Sequence, residues 1–181
     1  MSWRAVAVYW VLAIAVAGQL GWTLRTRERP ATDAPVVATP IVETPAATID
    51  DVLAQRGESA LEFRKDSGRW AGEASAAGVS SDLVAAFLDT LTTIPPIELI
   101  PEGSGDLAAY GLDPPQAIVR MASAGRPVAT LEFGERNPTR TAVYARRPDQ
   151  KQVYLLGLNA QYYLDLIFEQ AAGGRSPAGA S

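Results

Sequence analysis

Apolar and polar positions divide the chain into stretches of different character. Residues 5–24 carry no charge, with Arg4 on one side and Arg25, Arg27 and Arg29 on the other. Twenty such residues are what a helix needs to cross a bilayer core. Trp3 and Trp22 lie nineteen residues apart, which at ~1.5 Å per residue sets their indoles roughly 28 Å apart, near the two interfaces such rings prefer. The stretch therefore reads as a single-pass anchor. A cleaved signal peptide is the alternative, since Ala15-Val16-Ala17 before Gly18 fits a small-residue cleavage site, and either reading exports the remainder of the chain. Ala13, Ala17 and Gly21 share one helix face, a stripe that lets a second helix approach closely in lipid, although the general abundance of alanine here also accounts for it.

Residues 26–48 change the pattern: Pro30, Pro35, Pro40 and Pro45 recur every five residues among Ala, Thr and Val. That spacing predicts a tether, locally extended at ~3.1 Å per residue and unable to form a core. A folded part is expected over residues 49–172. Its first piece reads as a short helix from Thr48 to Gln55, capped by Thr48 with Asp50 and Asp51 in the first turn and ended by Gly57. Residues 59–65 then alternate, with Leu61 and Phe63 on one side. Asp66-Ser67-Gly68 turns the chain into Arg69-Trp70, a hairpin with one buried face in which Trp70 is a core residue rather than a stacking platform.

From residue 81 the spacing of Leu83, Val84, Phe87, Leu88, Leu91 and Ile94 predicts an amphipathic helix stopped by Pro95-Pro96. A shorter helix runs from Ser104, as N-cap, to Tyr110, with Gly111 in the left-handed conformation at its end and Leu112 folding back on it. Four segments of strand character come next, at 116–122, 127–133, 141–146 and 152–156, an antiparallel meander. A last helix, capped by Asn159, covers 161–171 and buries Tyr163, Leu164, Ile167 and Phe168. Residues 173–181 are expected to be disordered. The fold class is thus α+β: an N-terminal transmembrane helix (1–25), the tether, then a small domain with a hairpin, an amphipathic helix, a meander and a C-terminal helix.

Tyr110-Gly111-Leu112-Asp113-Pro114-Pro115 is the sharpest local feature, because two consecutive prolines cannot continue a helix and restrict Asp113 before them. With Leu131-Glu132-Phe133-Gly134-Glu135, Val143-Tyr144-Ala145 and Val153-Tyr154-Leu155-Leu156 after it, and Gly68-Arg69-Trp70 before it, this order of motifs resembles the domain-of-unknown-function family numbered four-three-four-zero. The likeness covers residues 58–157. It implies an extracytoplasmic, membrane-tethered domain, in some members associated with gliding-motility or ABC-transport auxiliary proteins, and it carries over no catalytic residue. The chain has one copy of the pattern and no transporter-like segment of its own.

Composition changes this picture mainly by exclusion. The chain has 181 residues, 48% of them hydrophobic, 20% charged, and neither cysteine nor histidine. Disulfides, thiolate sites and Ser-His-Asp or HExxH chemistry are therefore ruled out. A net charge of -4 gives no reason to expect nucleic acid. Asp113, Glu132 and Glu135 are the acids near the meander, and nothing in their spacing joins them for acid–base work. No cofactor, metal or small-molecule substrate is expected, and the protein reads as no enzyme.

Basic residues concentrate late: residues 114–156 hold 7 basic and 3 acidic side chains, against 4 and 12 over residues 49–113. Meander connectivity puts the turns at 123–126 and 147–151 at one end, so that Arg126, Arg146, Arg147 and Lys151 form a patch for an acidic partner surface or anionic headgroups. A normally solvated face is the competing explanation. The three arginines after the anchor favour a cytoplasmic C-terminus on a strict count, but a long domain translocates largely regardless of charge. The expectation is an inner-membrane, single-pass protein with its C-terminal domain in the periplasm. There it is an accessory or binding subunit of a membrane complex with a protein partner. An envelope spacer with no dedicated ligand is the alternative.

Overall fold

The computed structural model describes residues 39–73, 76, 78–100 and 105–174. The expected anchor with Ala13, Ala17 and Gly21, the tether up to residue 38, Ser104 and the tail from residue 175 lie outside the described residues. Among the described residues no helix is long and apolar enough to cross a membrane.

The domain is built on one antiparallel sheet. Its strands are β1 (Asp51–Arg56), β2 (Ser59–Asp66), β3 (Arg69–Gly72), β4 (Glu98–Ile100), β5 (Ala117–Ser123), β6 (Arg126–Arg136), β7 (Ala142–Arg146) and β8 (Val153–Gly157). They lie in the order β3-β2-β1-β5-β6-β7-β8-β4. Alternation decides which face each side chain serves. Val52, Leu61, Phe63, Val119, Met121, Leu131, Phe133, Val143 and Ala145 all point to one face, where α1 (Ser81–Thr93) and α2 (Leu158–Gly173) complete a single core. The Phe87 and Phe133 rings, 6.5 Å between centroids, join helix to sheet. The architecture is α+β as expected, with the hairpin, the meander and both long helices in place.

Four expectations are corrected. Residues 51–56 form not a helix but a central strand, paired to β2 on one side and β5 on the other. The local capping signal is real but spent elsewhere: Thr48 closes a single 3-10 turn (Ala46–Thr48), and the Asp50 carboxylate accepts from the Ala124 N–H at 2.8 Å in the β5–β6 turn. Second, the stretch read as tether ends earlier than residue 48. Ile41 and Val42 are buried in the core, and the Val42 N–H donates to the Leu91 carbonyl at 3.3 Å. Third, Ile94 fits the helical spacing yet is 45% exposed, because it lies at the helix end and is already extended. Fourth, α2 starts directly from β8 with Gly157 at its N-cap, so Asn159 is inside the helix. Its buried stripe is Ala160, Leu164, Ile167 and Ala171, with Tyr163 and Phe168 only packed against the core.

Candidate functional site

The strand order forces a crossing. β4 is an edge strand beside β8, whereas β5, the next strand in the chain, lies between β1 and β6. With the helices on one face, the connection passes over the other, and Tyr110-Gly111-Leu112-Asp113-Pro114-Pro115 is the segment that makes the passage. A 3-10 helix (Leu107–Tyr110) leads in, capped by the Asp106 carboxylate, which accepts from the Ala108 N–H at 3.3 Å, rather than by Ser104. Gly111, at φ 64°, ends it in the left-handed conformation as expected. The N–H groups of Gly111 and Leu112 donate to the carbonyls of Ala108 and Leu107 at 3.0 and 2.9 Å, the double closure of a left-handed helix end.

Leu112 then folds back and is fully buried. It bridges Pro115, and the Asp113–Pro114 peptide is cis. The Tyr110 ring meets Tyr144 at 4.7 Å. Tyr144 pairs with Leu155 on the face away from the helices. Ala142, Val153 and Leu155 on that face are buried outside the main core. The crossing thus seals the β6–β8 half of this face. It lies so close to β6 that a side chain at Gly134 would collide with the Tyr110 carbonyl oxygen.

The other half of the face stays open. Register places Leu53, Arg120 and Thr130 side by side across β1, β5 and β6, with Ile118 beside Glu132. The β7–β8 turn forms a wall, and a groove of about 480 Å³ lies between Ile118, Arg120, Val128 and Thr130 on the sheet and Arg147-Pro148-Asp149 on the turn. That wall is pinned. Arg147 donates to both Asp149 oxygens at 3.1 and 2.7 Å, the Gln150 N–H donates to the Arg147 carbonyl at 2.9 Å, and the Tyr154 hydroxyl donates to Gln150. The hydrogen bond from Arg147 holds the Asp149 carboxyl below its usual range, while burial pushes the Tyr154 phenol up.

This geometry divides the four residues of the basic patch. The turns holding Arg126 and Arg147 do share one end of the meander, since β5, β6, β7 and β8 pair in sequence. Arg146, however, donates from Nε to Glu132 at 2.5 Å, and Arg147 is tied to Asp149. Two of the four charges are therefore compensated locally. Arg126 and Lys151 are exposed. Arg120, in the middle of β5 and not one of the four, is exposed on the groove floor and, among the described residues, has no ion pair. The alternation of β5 marked its side opposite Val119 and Met121. What the strand pattern did not show was which half of that face would be covered.

The remaining singled-out residues serve the fold. Trp70 is buried in the core, with its backbone N–H donating to Ser81 Oγ at 2.9 Å and Lys65 over its ring. Glu132 is engaged by Arg146, and Glu135 lies against Gly111. Among the described residues no three His, Cys, Asp or Glu side chains are grouped to hold a metal ion.

A family model described as a domain of unknown function, DUF4340, matches residues 73–170. The chain belongs to the DUF4340 family. The match runs from just after β3 into α2 and includes the sealing segment and the whole meander, whereas Gly68-Arg69-Trp70 falls before it. No curated protein and no solved structure matches this DUF4340 chain. The matched residues thus hold both the segment that seals half the sheet and the β5–β8 strands that floor and wall the groove.

Proposed function

We propose that this DUF4340 protein is a membrane-anchored, non-catalytic binding subunit outside the cytoplasm, which presents the open half of its sheet to a protein of a membrane complex. The observation that carries the location is the uncharged run at residues 5–24, of bilayer length and flanked by arginines. It precedes a proline-spaced stretch and then a domain in which acidic residues outnumber basic ones. The groove supports the binding role: it sets Arg120, with no ion pair among the described residues, among Ile118, Val128 and Thr130 on strands held by pairing on both sides. Rigid strands keep such a surface in place, and its charge steers encounter with an acidic partner. The family resemblance suggests an ABC-transport or motility auxiliary role for the complex. A phosphatase that works only outside the cytoplasm, fused after Ser181, tests the location. The fusion is expected to be active, and a stably made but inactive one overturns the proposal.

A further inference from the structure

The sheet has two edges, and the chain treats them differently. At β3 the edge is occupied: Trp70 gives its backbone N–H to Ser81 Oγ at 2.9 Å, which ties the strand to the start of α1. At β4 nothing of the kind is present among the described residues. β4 pairs with β8 alone. Natural edge strands are normally protected by shortness, charge, proline, bulges or a covering element, and of these β4 has its three-residue length, Glu98 and the preceding Pro95-Pro96. Between residues 94 and 100 the sole charge is Glu98, while Ile94, Ile97 and Leu99 are 45, 61 and 43% exposed. These are three of the four large apolar side chains exposed among the described residues, and they fall within six positions of the chain. Leu99 pairs with Tyr154 and so points to the helix side, where Ile94 ends α1. Among the described residues the main core thus runs out to this edge and stops uncovered.

An unpaired backbone row beside apolar side chains calls for another strand, and one open edge per copy calls for a closed arrangement. We infer that β4 is a homodimer interface, in which two copies pair β4 with β4 antiparallel about a two-fold axis at Leu99. Centring there uses all three strand residues and sets Leu99 opposite Leu99 of the second copy. It also sets each Glu98 opposite Ile100, so the two carboxylates do not face each other. Head-to-tail pairing of β4 with β3 would require the edge that Ser81 holds, and would build an open filament. This interface does not depend on where the domain resides or on what the open face binds.

The absence of cysteine makes the test direct. In the full-length chain, Leu99→Cys as the only thiol is expected to yield a covalent dimer under mild oxidation. Opposed antiparallel residues have Cα atoms roughly 4.5 to 5.5 Å apart, within the span of a disulfide. Arg69→Cys on β3, at the other edge of the sheet, is expected to give no covalent dimer, which controls for mere proximity of copies. Adding Ile97→Lys to Leu99→Cys should abolish the cross-linked band while circular dichroism shows the chain still folded, since residue 97 is largely exposed. A monomeric Leu99→Cys chain, equal cross-linking at Arg69→Cys, or a band that survives Ile97→Lys in a folded chain would each overturn the interface.

Discussion

Gly111 and Gly134 face each other where the crossing segment meets β6, and each is required for a different reason. At Gly111 the backbone is left-handed, and an added Cβ would also meet the Glu135 backbone nitrogen at 2.9 Å. At Gly134 the reason is contact alone: an added Cβ would meet the Tyr110 carbonyl oxygen, which is backbone, and the buried Leu112 side chain. Gly111→Val is therefore expected to destabilise the domain by at least ~1 kcal/mol, and Gly134→Ala by about 1 to 3 kcal/mol. Denaturant unfolding measures both, and unchanged midpoints would mean that the crossing does not hold this path. Asp149 gives a second test at this scale. Its folded carboxyl titrates below the usual range because Arg147 hydrogen-bonds it. The pair's contribution is complete above the ordinary aspartate range and is lost as pH falls through the lower, folded value. Asp149 is well exposed, so the effect on overall stability is small. An NMR titration should show Asp149 below an ordinary aspartate, and Arg147→Gln should return it to normal.

Elements differ in how far local signals determine them. The amphipathic helix is the strongest case: Phe87 lies deep in the core against Phe133, so Phe87→Ala should cost about 3 to 5 kcal/mol. Ile94→Ala, one step beyond the helix, should change stability by no more than about 0.5 kcal/mol. Thermal unfolding of the two variants would show whether the helical spacing or the observed exposure governs residue 94. Helix and meander are legible in the sequence because their alternation and turn residues are local. β1 is not. Thr48, Asp50 and Asp51 form a plausible local helix start, and what makes residues 51–56 a strand is pairing with β2 and with the distant β5. β4 is illegible because three residues shortly after a proline pair carry no usable period. The end of the tether is equally hidden, because Ile41 and Val42 look like the other apolar residues of that stretch until α1 is there to bury them.

For the molecule as a whole, the crossing determines which half of the sheet face stays open. Had β4 and β5 been neighbours, no segment would need to pass over the sheet, and the whole face would be equivalent. Instead Tyr110 and Leu112 close one half, and Arg120 stands in the other beside the pinned β7–β8 turn. The patch expected at Arg126, Arg146, Arg147 and Lys151 is thereby reduced, since Glu132 and Asp149 engage two of its members. In the proposed function Arg120 becomes the charge at the centre of the binding face. Arg120→Glu with Thr130→Arg alters the groove floor while leaving the core untouched, so the domain should remain folded. The most direct measurement is affinity purification of the full-length chain from cross-linked membranes, with and without this double substitution. The unaltered chain is expected to bring down a second protein in stoichiometric amount, and the double variant to lose it. Recovery of no such protein, or its equal recovery with the variant, would contradict a binding role for the open face.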